Sequence, residues 1–321
     1  MCGTTYCMDE WAVVLRRVVL VANRKGGVLK SSLCRSVAAV LAGGGLRVLV
    51  VDGDPQGNVS AIDFGLETDR GRGLAMAVQY GTDLTPEAVR GVDVISGGAE
   101  LMGALGAAAV PGSQVRMGEN LRASLGRLCR ERAYDLVLID SGPGDTALLD
   151  AYMLAAKWLV VPTNADEASL DGVDKMGARY ADAVSRRGAE IEFLGAVLTK
   201  VDHRATSRNE AIRAELAEAI GSAGEPFSAM IRYNAAGALD SRRHAMSARE
   251  VASEAVSQRK SRLAQLRQRA RQGAGRHRDP TAEDGWFSRA SSGGDALAAD
   301  YEALAREILT RIGAREAALS A

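Results

Sequence analysis

The sequence predicts an α/β protein in which a mostly parallel, twisted sheet is flanked by helices on both faces. Short apolar runs rich in branched residues recur along the chain, as is typical of strands that are buried on both sides. Segments with apolar residues at helical spacing separate these runs. The alternation of the two patterns requires crossover connections, which make neighbouring strands parallel.

Seven apolar runs are the predicted strands, and in chain order they are residues 18–22, 46–51, 92–95, 136–139, 159–162, 191–198 and 227–231. Between them, apolar residues three and four positions apart predict helices. Ser207–Glu210 fits a capping box in front of one such helix. The closing helix carries its apolar residues on one face: Leu297, Tyr301, Leu304, Ile308 and Ile312.

Length and composition limit the possible functions. The 321 residues suffice for one large α/β domain or two small ones. The formal net charge is zero, so any binding to nucleic acid must come from a local patch. The four cysteines show no C-x-x-C spacing, which argues against a disulfide framework or zinc site and favours a reducing cytoplasm. No apolar run approaches the ~18 residues that span a bilayer.

A glycine loop joins the first predicted strand to a helix. Strand, glycine loop and helix together predict a phosphate-binding loop, in which backbone N–H groups and the helix N-terminus face the phosphates. A lysine reaches the terminal phosphates and a hydroxyl holds magnesium. The nucleotide-binding candidates are Lys25, Gly26, Gly27, Val28, Leu29, Lys30, Ser31 and Ser32.

The loop fits the pattern K-G-G-x-x-K-[ST], and this resembles the deviant Walker A loop of the ParA/MinD family of ATPases. The resemblance implies an ATP-bound homodimer in which Lys25 crosses the interface to the partner's nucleotide, with Lys30 as the cation inside the loop. Arg24 and Leu29 stand where the ordinary pattern has glycines. Leu29 raises the alternative of a nucleotide-dependent regulator or scaffold with little turnover.

Two acidic segments follow predicted strands. Asp140 ends an apolar run and resembles the family's Walker B carboxylate, which implies support of Mg²⁺ with Ser31 as the direct ligand. Residues Asp52–Asn58 resemble the family's D-x-D-P-Q-G-N. This implies that Asp54 orients the attacking water and that Asp52 helps to organise the magnesium shell. The alternative for this segment is a turn, in which the same residue types are common.

Thr199–Asp202 reads T-K-x-D and follows a predicted strand. It resembles the guanine-reading motif of related GTPases, but ParA-type proteins carry a similar segment without reading guanine. We therefore expect ATP as the nucleotide and leave GTP open.

A basic segment precedes the closing helix. Residues 255–278 contain no acid and eight basic residues: Arg259, Lys260, Arg262, Arg267, Arg269, Arg271, Arg276 and Arg278. If 255–272 is helical, Leu263 and Leu266 provide an apolar edge to dock the helix. The hypothesis is that Arg262, Arg267, Arg269 and Arg271 contact phosphates of duplex DNA without reading sequence. The alternative is a solvated charged face.

The predicted organisation is a lead-in (1–16), an ATPase domain (17–254), a basic and partly flexible insertion (255–294) and a C-terminal helix (295–321) that packs back on the ATPase domain. The resemblance implies a ParA-like partition ATPase in the cytoplasm and on the nucleoid. It would bind DNA non-specifically as a dimer, and a ParB-like centromere-binding protein would stimulate hydrolysis. A MinD-like membrane-cycling ATPase is the other alternative, although the closing helix lacks the composition of an interfacial helix.

Overall fold

The computed structural model describes residues 11–107, 112–144, 147–165, 167–234, 243–271 and 291–320. Its strands are β1 (Val18–Val21), β2 (Val48–Gly53), β3 (Glu87–Val89), β4 (Val92–Ile95), β5 (Leu136–Ser141), β6 (Trp158–Asn164), β7 (Glu192–Val201) and β8 (Ile231–Arg232). Its helices are α1 (Lys30–Gly43), α2 (Arg72–Tyr80), α3 (Leu101–Ala107), α4 (Ser113–Arg132), α5 (Ala147–Ala155), α6 (Glu167–Arg187), α7 (Thr206–Ile220), α8 (Ala248–Arg271) and α9 (Ser291–Ser320). A π-helical turn covers Asn58–Asp63.

The described strands form one sheet in the order β3-β4-β2-β5-β1-β6-β7-β8. All neighbouring pairs in this order are parallel except β3 with β4. Because parallel strands end at the same edge, the carboxyl ends of β1, β2 and β5 lie side by side. The register pairs Asp140 with both Val21 and Asp52. The predicted α/β class with a mostly parallel sheet is confirmed.

The core has two layers, one on each face of the sheet. Val18 and Leu20 of β1 belong to one buried cluster, which includes residues of α4, α5 and α6, whereas Val19 and Val21 belong to the other. Side chains alternate between the faces of a strand, so the two clusters lie on opposite sides. The second cluster joins residues of α1 and α9, with Leu304 of α9 fully buried. None of the described helices is long and apolar enough to cross a bilayer.

Both edges of the sheet differ from what the sequence predicted. The run predicted as a strand at 227–231 forms strand only at Ile231–Arg232. Phe227 is buried, and its N–H bonds to the Ala196 carbonyl at 2.7 Å, so this apolar residue packs beside the sheet without extending it. The antiparallel edge strand β3 has two exposed side chains out of three, and it therefore carries no apolar pattern to predict it.

The predicted capping box at Ser207–Glu210 is wrong. Helix α7 begins earlier, with Ala205 at the N-cap position and no side-chain cap hydrogen bond. Asn209, the third residue of the motif, is buried, and its Nδ2 donates to the Asp202 carbonyl at 2.8 Å. This side chain ties the helix to the end of β7, and the local motif gives no sign of that contact.

Helix α8 runs continuously across the predicted domain boundary between residues 254 and 255. Its first turns are buried through Ala248, Val251 and Ala252. Leu263 is 47% exposed, so the expectation that it docks the helix is wrong. The side chain of Leu266, and residues 272–290 of the predicted flexible part, lie outside the described residues. The helix is therefore anchored at its N-terminal end.

Candidate active site

The glycine loop is pinned to the sheet at its start. Asn23 is buried at the end of β1, and its Nδ2 donates to the Pro162 carbonyl on β6 at 2.8 Å. Its Oδ1 accepts from the Lys25 N–H at 2.9 Å, which turns the chain away from the strand. Gly172 of α6 packs over this turn, because a Cβ at that position would lie 3.3 Å from Asn23 Oδ1. One asparagine thus fixes the direction in which the loop leaves the sheet.

Leu29 takes the backbone conformation that the ordinary motif gives to glycine. Its φ and ψ are 66° and 24°, in the left-handed region, and it is the N-cap residue of α1. Its carbonyl accepts from the Leu33 N–H at 2.8 Å, so the helix starts regularly. The left-handed conformation costs a non-glycine residue roughly 1–2 kcal/mol. The leucine side chain is partly buried against the core, which offsets part of this cost.

The end of β7 supports the loop from the far side. The buried Thr199 hydroxyl lies 3.3 Å from the Val28 carbonyl and 2.9 Å from Asn164 Oδ1. Lys200 has a positive φ of 57°, and its Nζ lies 3.8 Å from where a Gly27 Cβ would be. The Asp202 carboxylate is exposed and accepts from the backbone of its own turn. Thr199 and Lys200, the first two residues of T-K-x-D, therefore pack against the glycine loop.

Lys30 is buried at the start of α1, and its Nζ donates to the Lys25 carbonyl at 3.1 Å. Burial lowers the pKa of Lys30, and the charges of Asp140 and Asp54 oppose this change. The ammonium group therefore lies inside the loop and faces carboxylates across it. A cation in this position can interact with bound phosphate.

Ser31 and Asp140 form a direct pair. The Ser31 hydroxyl donates to Asp140 Oδ2 at 2.7 Å, and Asp140 is fully buried at the end of β5. Burial raises the pKa of Asp140 well above its usual value, and the neighbouring Asp52 adds to the rise. The hydrogen bond from Ser31 favours the ionised carboxylate, as does the charge of Lys30. The pair fixes the position of the serine oxygen next to the loop.

The π-helical turn at Asn58–Asp63 holds the side chain of Asp52. Its Oδ2 accepts from the N–H and the hydroxyl of Ser60 at 2.8 and 2.7 Å, and its Oδ1 from the Asp54 N–H at 3.3 Å. Burial raises the pKa of Asp52 to about 6 despite these hydrogen bonds. Ser60 belongs to no motif, so sequence reasoning missed it.

Asp54 lies under the loop that follows β5. Its Oδ1 accepts from the Gln56 N–H at 2.9 Å, and a Cβ on Gly142 would approach it to 3.1 Å. Tyr152, on α5, supports the same segment by donating its hydroxyl to the Gly53 carbonyl at 2.9 Å. A Cβ on Gly53 would lie 2.7 Å from the Tyr152 ring, so this position requires glycine. The sequence contains no motif that would have pointed to Tyr152.

The structure thus brings most predicted site residues to one edge of the sheet. Asp52 and Asp140 lie at the carboxyl ends of β2 and β5, and Asp54 lies in the loop after β2. Lys30 and Ser31 lie in the first turn of α1, which follows the glycine loop after β1. The remaining loop candidates line the same turn: Lys25, Gly26, Gly27, Val28, Leu29 and Ser32. The DNA-binding candidates are on α8, where Arg267 is exposed and the side chains of Arg262, Arg269 and Arg271 lie outside the described part.

Comparison with known proteins assigns the chain to a family. A family model described as an AAA domain matches residues 16–191, more than half of the chain. The chromosome-partitioning ATPase Soj of Thermus thermophilus is 34% identical over 200 residues, which cover 59% of this chain and 71% of Soj. The chain belongs to the ParA/MinD family of ATPases. The resemblance seen in its motifs is confirmed.

Solved structures share the fold of this chain. Cobyrinic acid a,c-diamide synthase from Mycobacterium smegmatis, with bound ADP and magnesium, is 26% identical with a TM-score of 0.55, and the match covers 63% of this chain and 81% of that one. The pNOB8 ParA bound to nonspecific DNA is 23% identical with a TM-score of 0.50, and covers 64% and 76%. The second likeness shows the shared fold.

Proposed function

We propose that this chain is a ParA-like partition ATPase that binds DNA in a nucleotide-dependent manner. It is an ATPase, and its cofactors are ATP and Mg²⁺. The observation that carries the proposal is the cluster at the sheet edge, where a buried lysine, a serine and three buried carboxylates surround one glycine loop. The order of these groups along the chain follows the ParA pattern.

The residues present fit a magnesium nucleotide. The donors next to the loop are a hydroxyl and carboxylates, which suit a hard cation such as Mg²⁺. Ser31 would hold the ion directly, with Asp140 behind the serine and Asp52 in the outer shell. A bound Mg²⁺ would neutralise negative charge on the phosphate oxygens. Lys30 would contact the phosphates from inside the loop, together with the loop N–H groups.

Asp54 would orient the attacking water. Its carboxylate is buried, and Oδ1 accepts from the Gln56 N–H, the one hydrogen bond to Asp54 side-chain oxygens among the described residues. We assign the other oxygen to the water. This role is one of positioning, since phosphoryl transfer depends mainly on orientation and electrostatic stabilisation.

Lys25 would act between two copies of the chain. It is partly buried, and its backbone carbonyl accepts a hydrogen bond from Lys30 Nζ at 3.1 Å. The backbone therefore belongs to the same nucleotide site. By the resemblance to the ParA/MinD loop, the side chain would reach the nucleotide of a second copy in an ATP-bound homodimer.

Helix α8 would bind duplex DNA through phosphate contacts. Lys260 and Arg267 are exposed on it, and no acidic residue occurs between residues 255 and 278. Contacts of this kind position a protein on DNA without reading bases. The proposed cellular role is plasmid or chromosome segregation in the cytoplasm and on the nucleoid, with a ParB-like partner that stimulates hydrolysis.

The test compares DNA binding of the parent with a quadruple Arg→Ala variant at 262, 267, 269 and 271. A quadruple Arg→Lys variant at the same positions is the matched control, because it keeps the charge. With ATP, the alanine variant should lose affinity for all duplex sequences, and its salt slope should fall by about one unit per lost phosphate contact. Phosphate release without DNA should stay unchanged. An alanine variant with the parental affinity and slope would remove α8 from the DNA interface.

A further inference from the structure

A cluster of charged side chains joins α8 to the helix that starts at the glycine loop. Glu250 lies between two arginines, with Oε2 3.7 Å from Arg35 Nη2 and Oε1 3.3 Å from Arg90 Nη1. Both arginines also donate to the Ala245 carbonyl, just before α8. We call Arg35, Glu250 and Arg90 the clamp. It connects α1, the β3–β4 turn and the first turn of α8.

Glu250 is fixed in place from its own helix as well. The Ser247 N–H donates to Glu250 Oε2 at 2.6 Å, and the Glu250 N–H donates to the Ser247 hydroxyl at 3.2 Å. This is a reciprocal capping box. Because the same carboxylate caps α8 and faces both arginines, the start of the helix cannot move relative to α1 without changing the clamp.

The clamp is also connected to the nucleotide site by two short paths. Arg35 is 3% exposed and lies about one helical turn after Ser31 on α1. Its guanidinium stacks 5.6 Å from the Phe64 ring. Phe64 directly follows the π-helical turn that carries Ser60, the residue bonded to Asp52. A change in the position of Ser31 or of Asp52 therefore reaches Arg35 through neighbouring groups that pack against one another.

The anchored end of α8 determines where its basic end lies. Beyond Ala252, which packs on Gly294 of α9, the described side chains at Val256 and Leu263 are exposed. From Glu250 to Arg267 the helix extends ~25 Å at 1.5 Å per residue. A tilt of ~10° at the clamp would displace the basic end by roughly 4 Å. Such a displacement is enough to make or break contacts with phosphate groups.

We propose that the clamp transmits the nucleotide state of the glycine loop to the orientation of α8, with Glu250 as the positioning residue. The proposal rests on the proposed function for the part that concerns DNA. It does not require Glu250 to touch either nucleotide or DNA. Without the Glu250 charge, Asp63 would still offset the charge of Arg35, but the first turn of α8 would lose its carboxylate contact with both arginines, so the helix would no longer follow α1.

The experiment measures hydrogen exchange of residues 248–271 with Mg²⁺ and ATP, with Mg²⁺ and ADP, and without nucleotide. Glu250→Gln keeps the size of the side chain and removes its charge, and Glu218→Gln, at an exposed position of α7, is the matched control. In the parent and the control, exchange in α8 should differ between ATP and ADP. In Glu250→Gln the difference should vanish, the ATP-state DNA affinity should fall about tenfold, and phosphate release should stay at the parental rate.

The remaining outcomes distinguish a failure of the clamp proposal from a failure of the proposed function. If α8 exchange is independent of nucleotide in the parent, or stays nucleotide-dependent in Glu250→Gln, the clamp proposal is overturned. If exchange follows the proposal but the parent binds no DNA in any state, the clamp stands and the proposed function fails. Should Glu250→Gln unfold, as judged by circular dichroism, Arg90→Gln decides, because Arg90 is 39% exposed and its loss leaves the Arg35 contact in place. It should reduce the ATP–ADP difference in exchange, and an undiminished difference overturns the proposal.

Discussion

Leu29→Gly tests whether the unusual loop residue restrains hydrolysis. The leucine already has left-handed dihedral angles, so glycine should keep the backbone as it is. Glycine would relieve roughly 1–2 kcal/mol of strain, lose about 0.5–1 kcal/mol through its more flexible unfolded state, and lose about 1 kcal/mol of packing from a half-buried leucine. These contributions nearly cancel. The melting temperature should therefore stay within about 3 °C of the parent's.

The assay for this variant is phosphate release together with ATP affinity. The rate of phosphate release and the ATP affinity should each stay within about threefold of the parent's value. The loss of one phosphate-loop contact would change them by more than this. Leu29→Ala is the control, since it keeps the strain and loses the packing, and it should be less stable than the parent by about 1 kcal/mol. An increase in turnover of tenfold or more in Leu29→Gly would show that Leu29 restrains hydrolysis. It would support the alternative of a nucleotide-dependent regulator or scaffold in which Leu29 keeps turnover low.

Four further substitutions or conditions test separate parts of the site. Lys30→Ala should abolish ATP binding, because the phosphates lose the buried cation, and calorimetry showing parental affinity would reject the loop assignment. Lys25→Ala should keep ATP binding but weaken the ATP-bound dimer, and an undiminished dimer in ultracentrifugation would count against it. Asp54→Ala should slow hydrolysis by ~10²–10⁴ while keeping ATP bound, and a parental rate of phosphate release would exclude Asp54 from the mechanism. Burial raises the pKa of Glu250, but hydrogen bonds from Ser247 and the charges of Arg90 and Arg35 outweigh it, so the pKa lies below its usual value. The stability that Glu250 adds is then present above the unfolded pKa of about 4.3 and is lost as the pH falls through the lower folded pKa. Urea unfolding should show the gap between parent and Glu250→Gln closing in acid, and a gap that is constant with pH would contradict this.

The residues at the carboxyl edge of the sheet were predictable, because each buried strand stands out in the sequence as a short apolar run. Asp52 and Asp140 each follow an uninterrupted apolar run, and parallel strands bring such ends together. Asp140 was therefore predictable at the carboxyl edge of the sheet, and the register of the strands pairs it directly with Asp52. The glycine loop gave an equally local signal through its flanking strand and helix.

The supporting groups were not predictable, because no motif marks them. Ser60 reaches Asp52 from a π-helical turn, and Tyr152 supports Gly53 from α5, 99 residues away along the chain. The apolar residue Leu263 suggested a docking edge, but α8 is anchored in its first turns, where Ala248, Val251 and Ala252 are buried. Glu250 pairs there with Arg35 and Arg90, and the spacing of apolar residues gives no sign of such ion pairs.

Nucleotide-dependent DNA binding is tested by fluorescence anisotropy on random-sequence duplex DNA with Mg²⁺ and ATP, with Mg²⁺ and ADP, and without nucleotide. We expect the highest affinity with ATP, equal affinity for unrelated sequences, and a steep loss of binding with added salt. Equal binding in all three nucleotide states, or no binding in any of them, would contradict a nucleotide-dependent DNA-binding ATPase.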